Sequence, residues 1–374
     1  MFTPSAKAPT LRVGIYRASS IGDVVLASSC LSLLEGLEVP TEVFWIGRQP
    51  SLGLIVDSYP AIEGLEVDDK THVPDLLAKL SKLHFLVDLQ TNLRSWYICY
   101  QLKKVYGVPV YSCHKQAIRR GGLTIGARLR GRKKALPPSI SQCVRRQFEL
   151  MSECLVRALE IHLPVEMRDS INHITPVPQL PFQRPRDVED AWQKEMKFGV
   201  WIALAPGAAH QSKQVPIDVL AEIFARLKIK AEKDNKHWGL VFLGTESDRD
   251  LTLKISDRIN WPYPILNLTG KLSLSEASVA LRLVKCVLTN DSALSHIAEA
   301  VETPSIVMFG PTVESFGFAP WRSSSKSFSA PLGCRPCSKH GEAKCRFDDF
   351  LCFRMLPIHE IVNHTVSLLG EVKS

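Results

Sequence analysis

What most constrains this chain is a switch of hydrophobic period that recurs along it and is interrupted once. A short apolar run of strand length, LRVGIY (Leu11–Tyr16), gives way to Val24, Ala27, Leu31 and Leu34 at helical spacing. TEVFWIG and HFLVDLQ, the latter ending at Gln90, read as further buried strands. Around Pro176 and Pro178 the periodicity collapses into TPVPQLPFQRPRD, residues 175–187, which reads as a linker. Beyond it the alternation restarts as WIALAP, PIDVLAEIFARLKIKAE, HWGLVFLGT, SLSEASVALRLVK, CVLTN, SALSHIAEAV and PSIVMFG, strand and helix in turn.

Strands alternating with helices on both sides of a linker predict two doubly wound α/β domains. The expected division is an N-terminal domain over 1–175, a linker over 176–195 and a second domain over 196–355. A C-terminal helix over 356–374 is placed so that it could pack back on the N-terminal domain. A length of 374 residues suits two domains, and 45% hydrophobic with 22% charged residues excludes wholesale disorder and coiled coil. No apolar run approaches the roughly 18 residues a membrane span needs, and MFTPSAKAPT lacks the apolar core of a signal peptide. A cytoplasmic location is expected. Six of the ten cysteines are scattered, which predicts reduced thiols rather than a disulfide scaffold.

In open parallel sheets ligands bind beyond the carboxyl ends of the strands, and two such domains form a cleft. Three turns after strands are therefore informative. In the first, Ser19, Ser20, Ile21, Gly22 and Asp23 lead into a helix. Asp23 is a fitting N-cap, or else a carboxylate presented to a substrate hydroxyl. In the second, APGAAHQSKQVP, the small Gly207, Ala208 and Ala209 admit a ligand close to the backbone, and Lys213 brings a positive charge just before a helix. It has the logic of an anion-binding loop without the Walker sequence. In the third, VLTNDSALSHIAEAV, Asn290, Asp291 and Ser292 suit a helix start, with Leu294, Ile297, Ala298 and Val301 as the buried stripe. A diphosphate or sugar hydroxyls would suit that N-terminus, and His296 falls off the stripe near the first turn. FGPT, ending at Thr312, returns the chain toward the same edge.

Charge is distributed unevenly. From 90 to 147 there is no Asp or Glu, while Arg94, Lys103, Lys104, Lys115, Arg119, Arg120, Arg128, Arg130, Arg132, Lys133, Lys134, Arg145 and Arg146 are all basic. Such a block is either a solvated basic face or a field that attracts phosphates, anionic sugars, an acidic membrane surface or nucleic acid.

Taken in order, RASSIGDVVLASSCLSLL, LAPGAAHQSKQVP and LTGKLSLSEASVALRLVKCVLTNDSALSHIAEAVETPSIVMFGPT, with a cysteine-containing tail, resemble the lipopolysaccharide heptosyltransferases of glycosyltransferase family 9. The resemblance implies a GT-B fold of two Rossmann-like domains, acceptor on the first and nucleotide-sugar donor on the second. It implies inverting transfer of heptose from an ADP-activated donor to the anionic inner core of lipopolysaccharide, at the inner face of the cytoplasmic membrane and without an essential metal or cofactor. It casts Asp23 as general base and Lys213 as the cation that neutralises the departing diphosphate. It also places Glu246 near the donor ribose, Leu272 on the adenine, Asp291 on donor sugar hydroxyls and His296 on the phosphates, with Gly207, Ala208, Ala209, Ser292 and Ala293 completing the donor loops. Ser20, Gly22, Arg94, Arg119 and Arg120 fall to the acceptor.

The chain departs from the family at Val215, where an aromatic is usual, at Ala293, where many members carry glycine, and at Cys30, near a common proline. The tail CRPCSKHGEAKCRFDDFLC brings Cys334, Cys337, Cys345 and Cys352 close in sequence, but only one pair is CxxC, so a structural zinc is the lesser expectation, with buried or free thiols and disulfides left open. Asp248 and Asp250 read as solvated charges. The alternatives are a GT-B enzyme that uses another nucleotide sugar, including an epimerase, and a non-catalytic anion- or nucleic-acid-binding protein. The second would need a nucleic-acid module that the chain does not display.

Overall fold

The computed structural model describes residues 10–113, 117–131, 135–137, 146–182, 196, 199–341 and 344–370, with backbone only at 117–119. The chain forms two compact units, one from 1–115 with 147–183 and the other from 116–146 with 184–374.

In the first unit five parallel strands, β1 (Leu11–Tyr16), β2 (Thr41–Gly47), β3 (Glu63–Glu66), β4 (Phe85–Asp88) and β5 (Val110–Ser112), lie in the order β3-β2-β1-β4-β5. Val13 pairs with Val43 on one side and Phe85 on the other. Val13, Ile15, Phe85, Leu86 and Val87 are fully buried, as expected where helices cover both faces of a parallel sheet. The helices are α1 (Ile21–Ala27), α2 (Ser29–Glu35), α3 (Ser51–Ser58), α4 (Val73–Leu80) and α5 (Leu93–Tyr106). Asn92 caps α5 by accepting from Ser95 N at 2.9 Å, and left-handed Gly107 ends it. After α6 (Ala117–Arg130), which belongs to the other unit, α7 (Gln147–His162) returns to pack on α1 and α2, and α8 (Val165–Ile171) follows.

The second unit holds β6 (Val200–Ala205), β7 (Trp238–Phe242), β8 (Ile265–Asn267), β9 (Cys286–Asn290), β10 (Ser305–Phe309) and β11 (Lys326–Ser329), again parallel, in the order β11-β10-β9-β6-β7-β8. Its helices are α9 (Ile217–Lys233), α10 (Arg249–Ile259), α11 (Leu274–Arg282), α12 (Ala293–Ala300), α13 (Leu351–Arg354) and α14 (Ile358–Gly370). The C-terminal helix α14 belongs to the second unit. Its apolar face, Ile361, Val362, Leu368 and Leu369, completes the core built by Leu220, Phe224, Leu288 and Met308.

The segment 116–146 lies with the second unit although the sequence reading assigns it to the N-terminal domain. Its partners explain why. Leu136 packs with Val313 and Phe316, Ala135 bridges Leu332, and Arg130 donates to the carbonyls of Gly333 and Arg335 at 3.3 and 3.0 Å. Arg335 is itself fully buried and donates to the carbonyls of Gly310, Ala330 and Thr312 at 2.5, 2.6 and 2.7 Å, which fixes the loop after β10.

Candidate functional site

In the first unit β1 lies between β2 and β4, so the strand order turns at β1 and the loops leaving β1 and β4 border the ligand crevice of a doubly wound sheet. Ser20 is the N-cap of α1 and Asp23 occupies the third helical position, one turn further in than the N-cap reading placed it. Ser20 Oγ donates to Asp23 Oδ2 at 2.9 Å, and Gly22 is buried beneath. The same carboxylate oxygen lies 2.6 Å from Arg17 Nη2, a buried guanidinium that also donates to the Leu89 carbonyl. Gln90, just past β4, ties the two loops together. Its Oε1 accepts from Ala18 N and Ser19 N, each at 3.1 Å, and its Nε2 donates to Ser19 Oγ at 3.2 Å. Buried Asp88 orders that turn by accepting from Gln90 N, Thr91 N and Ser95 Oγ, each at 2.9 Å.

The cations expected at the acceptor are placed differently from one another. Arg94 is bound to Asp69 at 2.9 Å and to the Asp68 carbonyl, and Arg48 shares Asp69 at 2.7 Å. Arg120 belongs to the second unit, where its guanidinium lies 4.8 Å over the Phe318 ring. The side chain of Arg119 lies outside the described residues.

The second unit repeats this arrangement with other residues. β6 lies between β7 and β9, and the loops leaving β6 and β9 are joined by the Asn290 carboxamide. Its Nδ2 donates to the carbonyls of Pro206 and Gly207 at 2.6 and 3.2 Å, and its Oδ1 accepts from Val215 N at 3.2 Å. Asn290 is therefore the last residue of β9 rather than a helix cap, a role taken by Ser292. Lys213 Nζ lies 2.6 Å from Asp291 Oδ2, with the two side chains 15% and 7% exposed. Thr312 Oγ1 donates to the same oxygen at 2.7 Å. Burial alone would push the Asp291 carboxyl up, but the Lys213 ammonium, the Thr312 hydroxyl and nearby His296 outweigh it and hold the group below the ordinary carboxylate value.

His296 is buried, because α12 is enclosed on nearly all sides; its ring is stacked 6.3 Å from Trp321 and tilted against Phe318. Gly207 is needed for a neighbour within the chain as well as for any ligand: a Cβ there would lie 2.4 Å from the Asp248 carboxylate. Asp248 is buried, not solvated, and accepts from Thr245 N and Oγ1 at 2.9 and 2.8 Å. Glu246 is exposed, paired with Arg249 at 2.9 Å, and lies against Gly270, whose φ of +74° no Cβ obstructs. Ala208, Leu272, Ser292 and Ala293 are partly exposed and Ala209 is exposed, whereas Val215 and Cys30 are core residues.

Cys334, Cys337, Cys345 and Cys352 line one small cavity, and none of the four is in a disulfide. Among the described residues no group of three or more His, Cys, Asp or Glu is arranged to hold a metal ion. Burial pushes Cys337 up to about 11 and Cys352 up to about 12. For Cys345 the effect of burial is outweighed by backbone N–H groups of Phe347, Phe350, Asp349 and Asp348, which hold the thiol below its ordinary value. The tail also supports the β6 loop. Ser212 Oγ donates to the Gly341 carbonyl, and a Cβ on Gly341 would lie 2.5 Å from Lys213 Cγ.

Arg17, Gln90 and Thr312 are the partners that sequence reasoning missed. The available signal was position: Arg17 follows a strand, Gln90 lies at the end of a run read as one although the strand stops at Asp88, and Thr312 lies in the turn expected to return to this edge.

Residues 85–347, more than half of the chain, match the family model described as glycosyltransferase family 9 (heptosyltransferase). A stretch of 84 residues is 29% identical to lipopolysaccharide heptosyltransferase 2 of Salmonella typhimurium, covering 22% of this chain and 24% of that protein. Another of 79 residues is 36% identical to the Escherichia coli protein of the same name, covering 21% and 23%. The chain thus spans about a quarter of the length of these curated relatives. Among solved structures, the glycosyl transferase family 9 protein of Veillonella parvula aligns over 97% of this chain and 98% of its own, with TM-score 0.67 and 13% identity. The E. coli ADP-heptose lps heptosyltransferase II aligns over 96% and 98%, with TM-score 0.63 and 17% identity. At these identities the likeness is one of fold, two Rossmann-like units each built on a parallel sheet.

Proposed function

The chain belongs to glycosyltransferase family 9, and from that membership we propose that it transfers heptose from an ADP-activated donor to the inner core of lipopolysaccharide, with inversion and without a metal. The observation that carries the reading is the Lys213, Asp291 and Thr312 cluster where the β6 and β9 loops meet, inside the matched region. A buried ammonium whose counter-ion is a single carboxylate suits a site where a diphosphate takes over that ammonium.

In this reaction the acceptor hydroxyl oxygen attacks the anomeric carbon and passes its proton to Asp23. The bond from that carbon to the diphosphate breaks, and ADP leaves with the electron pair. Lys213 moves from Asp291 to the diphosphate as negative charge develops there, which frees Asp291 to accept hydrogen bonds from sugar hydroxyls. Glu246 would hold the ribose and Leu272 the base. Arg17 keeps the Asp23 carboxylate fixed, so Asp23 works through position more than basicity. His296, buried against Trp321, favours ionised Asp291, while phosphate oxygens would meet the start of α12. The acceptor's phosphates would be met by arginines of the acid-free segment, Arg94, Arg119 and Arg120, and the enzyme would work at the inner face of the cytoplasmic membrane.

The test is transfer from ADP-heptose to a core-truncated lipopolysaccharide, wild type against Asp23→Asn. Loss of a general base is expected to lower turnover by roughly 10²–10⁴-fold, with ADP affinity unchanged. Undiminished turnover in the variant removes Asp23 from the reaction, and no transfer from any heptose donor removes the donor assignment.

A further inference from the structure

The outer face of α5 reverses the usual order of an amphipathic helix. Its inner face, Ser95, Ile98, Cys99 and Leu102, is buried in the first unit. Its outer face carries Leu93 at 88% exposure, Trp96 at 62% and Tyr97 and Tyr100 at 46% each, continuing into exposed Lys103 and Lys104. At 100° per residue these six side chains fall on one stripe opposite the buried one. Trp96 and Tyr100 stack at 5.6 Å, and the Lys104 ammonium lies 5.7 Å over the Tyr100 ring. There is no acid in α5, nor anywhere from 90 to 147.

We infer that this stripe docks the enzyme on an anionic phospholipid surface, its rings at headgroup depth and its two lysines on lipid phosphates. Indole and phenol rings settle at the membrane interface because each joins an apolar body to a polar edge, and juxtaposed lysines add attraction to anionic lipid. Two observations favour a bilayer over other occupants. The face is the convex outside of a helix, whereas small-molecule and sugar sites are concave. Its charge is of one sign and complementary to anionic headgroups. The inference deepens the proposed function, because it rests on the reading that the acceptor is embedded in a membrane.

The experiment is co-sedimentation of the full chain with vesicles of phosphatidylethanolamine and phosphatidylglycerol, against phosphatidylcholine alone, across a range of salt. Wild type is expected to bind the anionic vesicles and to be released by salt. Trp96→Ser/Tyr100→Ser should weaken binding at least tenfold, and Lys103→Gln/Lys104→Gln should weaken it by roughly tenfold or more and flatten the salt dependence. Both variants change exposed side chains only, and thermal unfolding checks that they fold as wild type does. Wild type that stays in the supernatant, or variants that bind as wild type does, overturns the inference. So does concentration-dependent dimerisation abolished by the aromatic variant, which would make the stripe a self-association surface. Turnover on a deacylated, water-soluble core acceptor separates this proposal from the previous one. Unchanged turnover with lost vesicle binding supports the docking role. Turnover that falls with the aromatic residues makes the stripe a sugar surface, and absent turnover in wild type strikes the proposed function alone.

Discussion

Replacing Asp291 with Asn tests the centre of the second unit, because it removes one charge while keeping shape. Lys213 Nζ and Asp291 Oδ2 are 2.6 Å apart and both side chains are largely buried. At an effective dielectric of about 20 such charges attract by about 6 kcal/mol, and the cost of taking both from water cancels much of that. Removing one partner of a buried pair costs about 3–5 kcal/mol. The asparagine oxygen still accepts from Thr312, which places the expected loss in urea unfolding at the low end, about 3 kcal/mol. The loss should depend on pH in a set direction. Asp291 titrates below the ordinary carboxylate value, so its contribution is complete above about pH 4, where the unfolded group ionises, and disappears as pH falls through the lower folded value. The deficit of the variant is therefore full at neutral pH and shrinks in strong acid. Binding should move the other way. Without a competing carboxylate Lys213 is released to an anion, and calorimetry should find ADP bound roughly three- to tenfold more tightly, a gain of about 0.7–1.4 kcal/mol, while the preference for ADP-heptose over ADP falls. Weaker ADP binding in Asp291→Asn would refute the assignment of Lys213 to the diphosphate, and a deficit unchanged by acid would refute the ionised pair.

Two further outcomes follow from the tail. Gly341 has φ +91° and a Cβ there would collide with the Lys213 stem, so Gly341→Ala should cost about 1–3 kcal/mol of stability in urea unfolding and weaken ADP binding as Lys213 is displaced. Cys345 should be alkylated by iodoacetamide before Cys337 and Cys352 at mildly basic pH, because it titrates low while burial pushes those two up; mass-spectrometric mapping that finds either of them labelled before Cys345 contradicts this order.

Central strands were legible in the sequence because both of their faces are buried. LRVGIY, TEVFWIG and CVLTN match β1, β2 and β9. Edge strands were not: β3 (EGLE) and β11 (KSFS) each bury one side chain, Leu65 and Phe328, which leaves no pattern to read. The position of Asp23, Lys213 and Asp291 after strands was legible for the same topological reason. Their present counter-ions were not, since Arg17 is six residues from Asp23 and Lys213 is far from Asp291 along the chain. Likewise α12 reads as amphipathic, yet Glu299 is buried because distant groups, Trp321 N, Arg322 N and Ser305 Oγ, satisfy it. Nothing local signals that such partners exist.

The assignment of 116–146 to the second unit also bears on how the protein is made. A ribosome delivers α6 well before the strands and loops that α6 packs against, which lie beyond residue 184. At about 5–20 residues per second, the remaining roughly 190 residues take on the order of 10–40 s to emerge. Throughout that interval Leu123 and Ala127, on the side of α6 that the finished second unit covers, are open to solvent and to chaperones. An arrest peptide placed after residue 183 would therefore hold back a chain in which the first sheet has all its strands while one helix of the second unit still waits for its partners.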